Sequence, residues 1–202
     1  MSKLLNVSSS PHVRCGVSTK NLMYDVAIAM LPATIWGVMQ FGIYSLIVVV
    51  ATVLSCVLSE YLFETLMHKP VTISDGSALV TGMILGLNMP PAIPLWMPIL
   101  GGVFAIIVVK QLYGGLGQNW MNPALAARCF MLISFAQAMT KFTDPVTDAV
   151  ASATPLAAIK AGDTYDLAAM FIGKIPGTIG EVSVIALLIG AAYLLVKKVI
   201  TI

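Results

Sequence analysis

The chain has 202 residues, of which 58% are hydrophobic and only 10% charged. A soluble domain carries roughly 25% charged residues, so a chain with a mean hydropathy of +0.93 cannot cover a water-facing surface. A soluble enzyme is excluded, and a net charge of +2 leaves neither a basic nucleic-acid footprint nor an acidic tail. The composition is that of an integral membrane protein solvated by lipid.

The bilayer core is roughly 30 Å thick, and a spanning helix needs about 20 mostly apolar residues. After a polar N-terminal segment, residues 1–22, the candidate spans are Tyr24–Gly42, Ile43–Met67, Gly76–Met89, Pro94–Val109, Pro123–Ala138 and Ile179–Val196. Gln40-Phe-Gly-Ile-Tyr44 reads as a tight hairpin between the first two. The third run rises only about 21 Å as a helix and is rich in Gly, Ser and Thr. Such a segment is tolerated where protein rather than lipid surrounds it. The expected fold is therefore all-α and polytopic, with about six transmembrane or re-entrant helices in one membrane domain, residues 23–202. Short helices broken by Gly and Pro resemble part of an inverted-repeat, transporter-like bundle.

Basic residues set the expected orientation. Lys3, Arg14 and Lys20 precede the first span, His68 and Lys69 follow the second, Lys110 the fourth, and Lys197 and Lys198 the sixth. Six crossings place all of them on one side, which the positive-inside rule makes cytoplasmic. Both termini are then cytoplasmic, and the loop 139–178 is extracytoplasmic. No cleavable signal peptide is expected. Cys15, Cys56 and Cys129 are far apart and form no CxxC pair, so they read as ordinary thiols and no metal site is expected.

Four segments could carry chemistry. The first is Lys110–Arg128, where Gly114, Gly115 and Gly117 let backbone approach a partner closely. Gln118, Asn119 and Asn122 add amides, and Arg128 lies one turn into the next span, where a charge needs a partner. This is either a pocket for a polar planar group or an ion path, or a re-entrant loop whose amides cap helix ends. In the second, Asp75 and Ser77 precede a helix start, where Asp75 either caps the helix or faces a cofactor or cation. The third is Glu60, Glu64 and His68, spaced by four along one helical face. That spacing suits a metal or proton site, but more commonly marks the solvated end of a helix. The fourth is Asp148-Ala-Val-Ala-Ser-Ala-Thr-Pro-Leu156, where small residues expose the Thr154 hydroxyl and Pro155 holds Thr154 extended. It reads as an ordinary polar turn or a site of covalent modification.

These segments occur together with Ser10-Pro-His-Val-Arg14, the run from Asp75 through Asn88-Met-Pro-Pro91, and Gly177-Thr-Ile-Gly-Glu181. In that order they resemble the D-type subunit of the Rnf electron-transport complex, a family shared with the B-type subunit of the sodium-pumping NADH:quinone oxidoreductase. Gly-Gly-Leu-Gly-Gln-Asn-x-x-Asn-Pro-Ala is the most specific stretch, and the short lead before the first span favours the Rnf side. Members of that family carry further helices after the position of Glu181–Val196, where this sequence ends at Ile202.

The resemblance implies FMN joined through its phosphate to a Thr hydroxyl in a D-x-x-[ST]-[GS]-A-T motif. Asp148, Ser152, Ala153 and Thr154 match, while Ala151 replaces the usual hydroxyl residue. It leaves room for a second, non-covalent flavin, riboflavin. It further implies a subunit of an ion-translocating oxidoreductase in a bacterial or archaeal plasma membrane, where other subunits, lipid and Na⁺ or H⁺ are its partners. Electron carriage, rather than a self-contained catalytic site, is the expected role. A transporter or channel subunit without redox chemistry, or a scaffold for partner subunits, would use the same spans, and a covalent flavin discriminates among the three.

Overall fold

The computed structural model describes residues 18–143, 150–151, 159–160, 162 and 167–200, and these are predominantly helical. Helix α1, Thr19–Phe41, starts ahead of the expected boundary at residue 23. Its start is set by Ser18, whose side chain accepts a hydrogen bond from the Asn21 N–H at 3.2 Å and so satisfies one of the orphan amides of the first turn. The chain turns at Gly42 into α2, Ile43–Leu66, as the hairpin reading expected. Both helices are long and apolar enough to cross a membrane.

The remaining apolar runs form shorter helices. A 3₁₀ turn, Ile73–Asp75, leads into α3, Ser77–Leu87. Helix α4, Trp96–Val103, continues without a break as a π-helix over Phe104–Gln111. Helix α5 covers Pro123–Ser134 and is followed by the single turn α6, Ala136–Met139. Strands β1, Phe142–Thr143, and β2, Val150–Ala151, pair antiparallel, the one departure from an all-α chain among the described residues. Helices α7, Leu167–Ile172, and α8, Val184–Val196, complete the order. The six expected spans appear as two full-length helices and four shorter ones. The segment 139–178, expected as a loop, carries the small hairpin and α7.

Helices α2 and α3 pack closest. A Cβ on Gly82 would lie 2.6 Å from Val53 Cα, and one on Gly86 3.0 Å from Val49 Cα. Two small residues four apart let backbones touch, which is how helices associate in lipid, where apolar burial supplies little net drive. Val48, Leu85, Met89, Ile93 and Met131 fill the core beside this contact. Outside it, Ile28, Leu31 and Ile35 of α1 and Leu54, Leu58 and Leu62 of α2 are exposed. Helices apolar on both their packed and their exposed faces are consistent with a membrane protein.

Helix α3 stops at Leu87, and the irregular backbone after it finds partners within the protein. Ile179 N–H donates to Met89 O at 3.1 Å, Gly180 N–H to Leu87 O at 2.8 Å, and the Tyr44 hydroxyl to Ile93 O at 2.9 Å. In lipid such internal partners are obligatory for non-helical backbone. At the other end of the bundle, the Tyr193 hydroxyl of α8 donates to Asp25 of α1 at 2.8 Å, with Lys197 3.7 Å from the same carboxylate oxygen.

Candidate functional site

The end of α2, the start of α3 and the end of the π-helix meet around a buried polar network. Apolar helix faces bring Glu60 and Glu64, one helical turn apart on α2, against Lys110 and Gln111. Lys110 Nζ lies 2.5 Å from Glu60 Oε1, with the two side chains 2% and 0% exposed. The same ammonium donates to Ser77 Oγ at 2.5 Å. Gln111 Nε2 donates to Glu60 Oε1 at 2.8 Å and to Glu64 Oε1 at 3.2 Å. Glu64 also accepts from the Thr72 backbone N–H at 3.0 Å and from the Thr72 hydroxyl. Asp75 Oδ1 accepts from Ser77 N–H at 2.7 Å and from Ser77 Oγ at 2.6 Å. Ser77 therefore links Asp75 to Lys110, and Asp75 accepts from the first amide of α3, whose N-cap is Gly76.

Two readings of the sequence are corrected here. Glu60 and Glu64 are not the solvated end of a helix: both are buried, and His68 lies beyond the end of α2 at φ 52, apart from them. Lys110 is not a solvated flanking charge that merely marks the cytoplasmic side. The π-helix carries it inward, so that it and its neighbour Gln111 both reach Glu60. A π-helix turns less per residue than an α-helix, and such stretches recur at functional sites.

Two clefts flank the network. One, of about 320 Å³, is lined by Glu64, Lys69, Thr72, Asp75, Gln111 and Gly114. The other, of about 210 Å³, is lined by Met23, Ser77, Val80, Lys110, Asn119 and Asn122. Leu116, from the glycine-rich segment, borders both. That segment turns between the π-helix and α5 with Gly114, Gly115 and Gly117 at φ 111, 97 and 85, left-handed conformations that glycine adopts without strain.

Its other members divide by role. Asn122 is the N-cap of α5, its Oδ1 accepting from Ala124 N–H at 3.0 Å, while Asn119 donates to Met121 O at 2.7 Å. Gln118 and Gly117 are exposed. Arg128 finds its partner in Asn88, donating to Oδ1 at 2.8 Å, and is separate from the Glu60–Lys110 network. Asp148, Ser152, Ala153 and Thr154 lie outside the described residues. The pairing of Glu60 with Lys110 had no local signal, because the partners are 50 residues apart. The available hint was Glu60 and Glu64, spaced by four inside an apolar run.

Comparison with known proteins places this geometry in a family. The NQR2, RnfD, RnfE family matches residues 6–202. The D-type subunit of the Na⁺-translocating ferredoxin:NAD⁺ oxidoreductase complex of Acetobacterium woodii is 47% identical over 98% of this chain and 64% of its own length. The D-type subunit of the proton-translocating ferredoxin:NAD⁺ oxidoreductase complex of Clostridium ljungdahlii is 41% identical over the same shares. Its counterpart in the ion-translocating oxidoreductase complex of Rhodobacter capsulatus is 32% identical over 96% of this chain and 64% of its own length. The chain thus spans under two thirds of these relatives. The match along nearly its whole length bears out the resemblance read from the motifs: this membrane protein belongs to the NQR2, RnfD, RnfE family.

Proposed function

We propose that this chain is the flavin-carrying membrane subunit of an ion-translocating electron-transport complex that moves electrons from reduced ferredoxin to NAD⁺. The relatives' names supply the donor, the acceptor and the coupling. The observation that carries the reading is the buried Glu60–Lys110 network between two clefts in a bundle of apolar helices. Ionisable groups inside a membrane are costly, and they mark ion or proton pathways far more often than scaffolding. One relative is named for sodium and another, similarly identical, for protons, so the transported ion is a small monovalent cation of either kind.

FMN is proposed on Thr154 through a phosphoester, with Asp148, Ser152 and Ala153 forming the attachment motif. Bound flavin supplies one- and two-electron transfer, and a tether through the phosphate leaves the ring free for it. A second, non-covalent flavin, riboflavin, is proposed as well. The topology proposed with this function has cytoplasmic termini and an extracytoplasmic 139–178. Fluorescence of the denatured chain under ultraviolet light tests the reading. A bound yellow chromophore is expected, and a colourless chain from a host with a functioning flavin transferase moves the assignment to a transporter without redox chemistry.

A further inference from the structure

The buried network holds more carboxyl groups than cations. Glu60, Glu64 and Asp75 converge on it, yet Lys110 is its one buried ammonium among the described residues, and Lys69 only lines the rim of the neighbouring cleft. One carboxylate oxygen, Glu60 Oε2, is fully buried and has no hydrogen-bond partner among the described residues. A buried carboxylate oxygen without a partner calls for an explanation, such as a bound water or ion or a functional role. Lys110 itself is shared. Its Nζ lies 2.5 Å from both Glu60 Oε1 and Ser77 Oγ, and Ser77 Oγ is 2.6 Å from Asp75. The ammonium therefore stands between two carboxylates, in contact with one and a single hydroxyl away from the other.

We infer that Lys110 is a tethered internal cation that alternates between Glu60 and the Ser77–Asp75 side, and that a small monovalent cation, Na⁺ or H⁺, takes its place on Glu60 when it leaves. The inference rests on the ion-translocating reading above. A lysine ammonium is a compact charge on a flexible four-carbon stem, and the cleft bounded by Lys110, Ser77 and Asn119 gives the stem room to move. Breaking the pair with nothing in its place would strand a buried carboxylate, which is strongly unfavourable. Exchange of the ammonium for a mobile cation keeps the charge on Glu60 balanced at every stage. The π-helix, by aiming Lys110 and Gln111 together at α2, leaves Gln111 bonded to Glu60 and Glu64 while the ammonium departs.

Labelling with dicyclohexylcarbodiimide, which modifies protonated carboxyl groups in apolar surroundings, tests this in membrane vesicles holding the complete complex. Mass spectrometry of the peptide containing Glu60 is the readout. At rest Glu60 should be protected by the ammonium. Turnover with reduced ferredoxin and NAD⁺ should raise its labelling severalfold, and Lys110→Met should label strongly without turnover. Suppression of the turnover signal by added Na⁺ identifies sodium as the replacement, whereas a signal indifferent to Na⁺ identifies the proton. Both support exchange. Equal labelling at rest and during turnover without added Na⁺, in vesicles that carry out electron transfer, overturns the exchange and leaves the proposed function standing. An assembled Lys110→Met complex that remains unlabelled overturns it as well. Should that variant not assemble, the wild-type comparison decides alone. Vesicles that accumulate no ions during electron transfer remove the proposed function, and this inference with it.

Discussion

At the scale of single residues, the Glu60–Lys110 pair dominates. Removing one partner of a buried ion pair costs about 3–5 kcal/mol, because the other charge is left without compensation. Lys110→Met should therefore lower the thermal stability of the detergent-solubilised chain strongly. Combining it with Glu60→Gln should recover most of the loss, since a neutral amide needs no counter-ion. A double-mutant cycle measured by thermal unfolding checks both, and a loss in the double variant equal to the sum of the two single losses would mean that the pair is not coupled. Arg128 is a milder case. Its bond to Asn88 is charge-assisted, but the residue is only half-buried, so Arg128→Gln should cost about 1 kcal/mol by the same assay.

Among elements, the contact of α2 with α3 organises the rest. Gly82 and Gly86 face the backbone of Val53 and Val49, and no flexible side chain there can move aside. Gly82→Val should push the two helices apart, at the cost of about 1–3 kcal/mol typical of overpacking. Because α3 carries Ser77 and α2 carries Glu60, the separation should also disturb the polar network. The same carbodiimide assay would register this as increased resting labelling of Glu60 in the variant, and unchanged labelling would show that the network does not depend on that helix contact. The π-helix is the other decisive element. Deleting one residue from Phe104–Gln111 allows a regular α-helix and rotates Lys110 off Glu60, so the shortened chain should show the stability loss of Lys110→Met.

The whole molecule raises two further expectations. Thr154→Ala should give a chain that inserts normally and shows no flavin fluorescence after denaturation. Thr154→Ser retains a hydroxyl and should keep part of the label. Mass analysis of the peptide Asp148–Lys160 reads the outcome directly, and an unmodified Thr154 in a flavin-transferring host would cancel the assignment. The topology is tested by placing a Cys near Asp163, which a membrane-impermeant reagent should reach in intact cells. Labelling only after permeabilisation would reverse the proposed orientation.

The amino-acid sequence by itself determined the solvent and the element inventory. A chain 58% hydrophobic and 10% charged has to live in lipid, and each apolar run contains a helix in the structure, because main-chain polar groups in lipid must be satisfied within the segment. The positions of Ser18, Gly42 and Asn122 as caps and turns were likewise local, set by side chains that reach their own backbone or, at Gly42, by the lack of one. Motif order was enough to point to the family. Tertiary structure alone decided where the runs break into short helices, because partners for the freed backbone, such as Ile179 for Met89, come from distant segments. It also turned Glu60 and Lys110 from apparent flanking charges into a buried pair. Helical spacing placed Glu60 and Glu64 on one face, but only the packing of the π-helix, 50 residues along the chain, determined that this face would meet an ammonium instead of water.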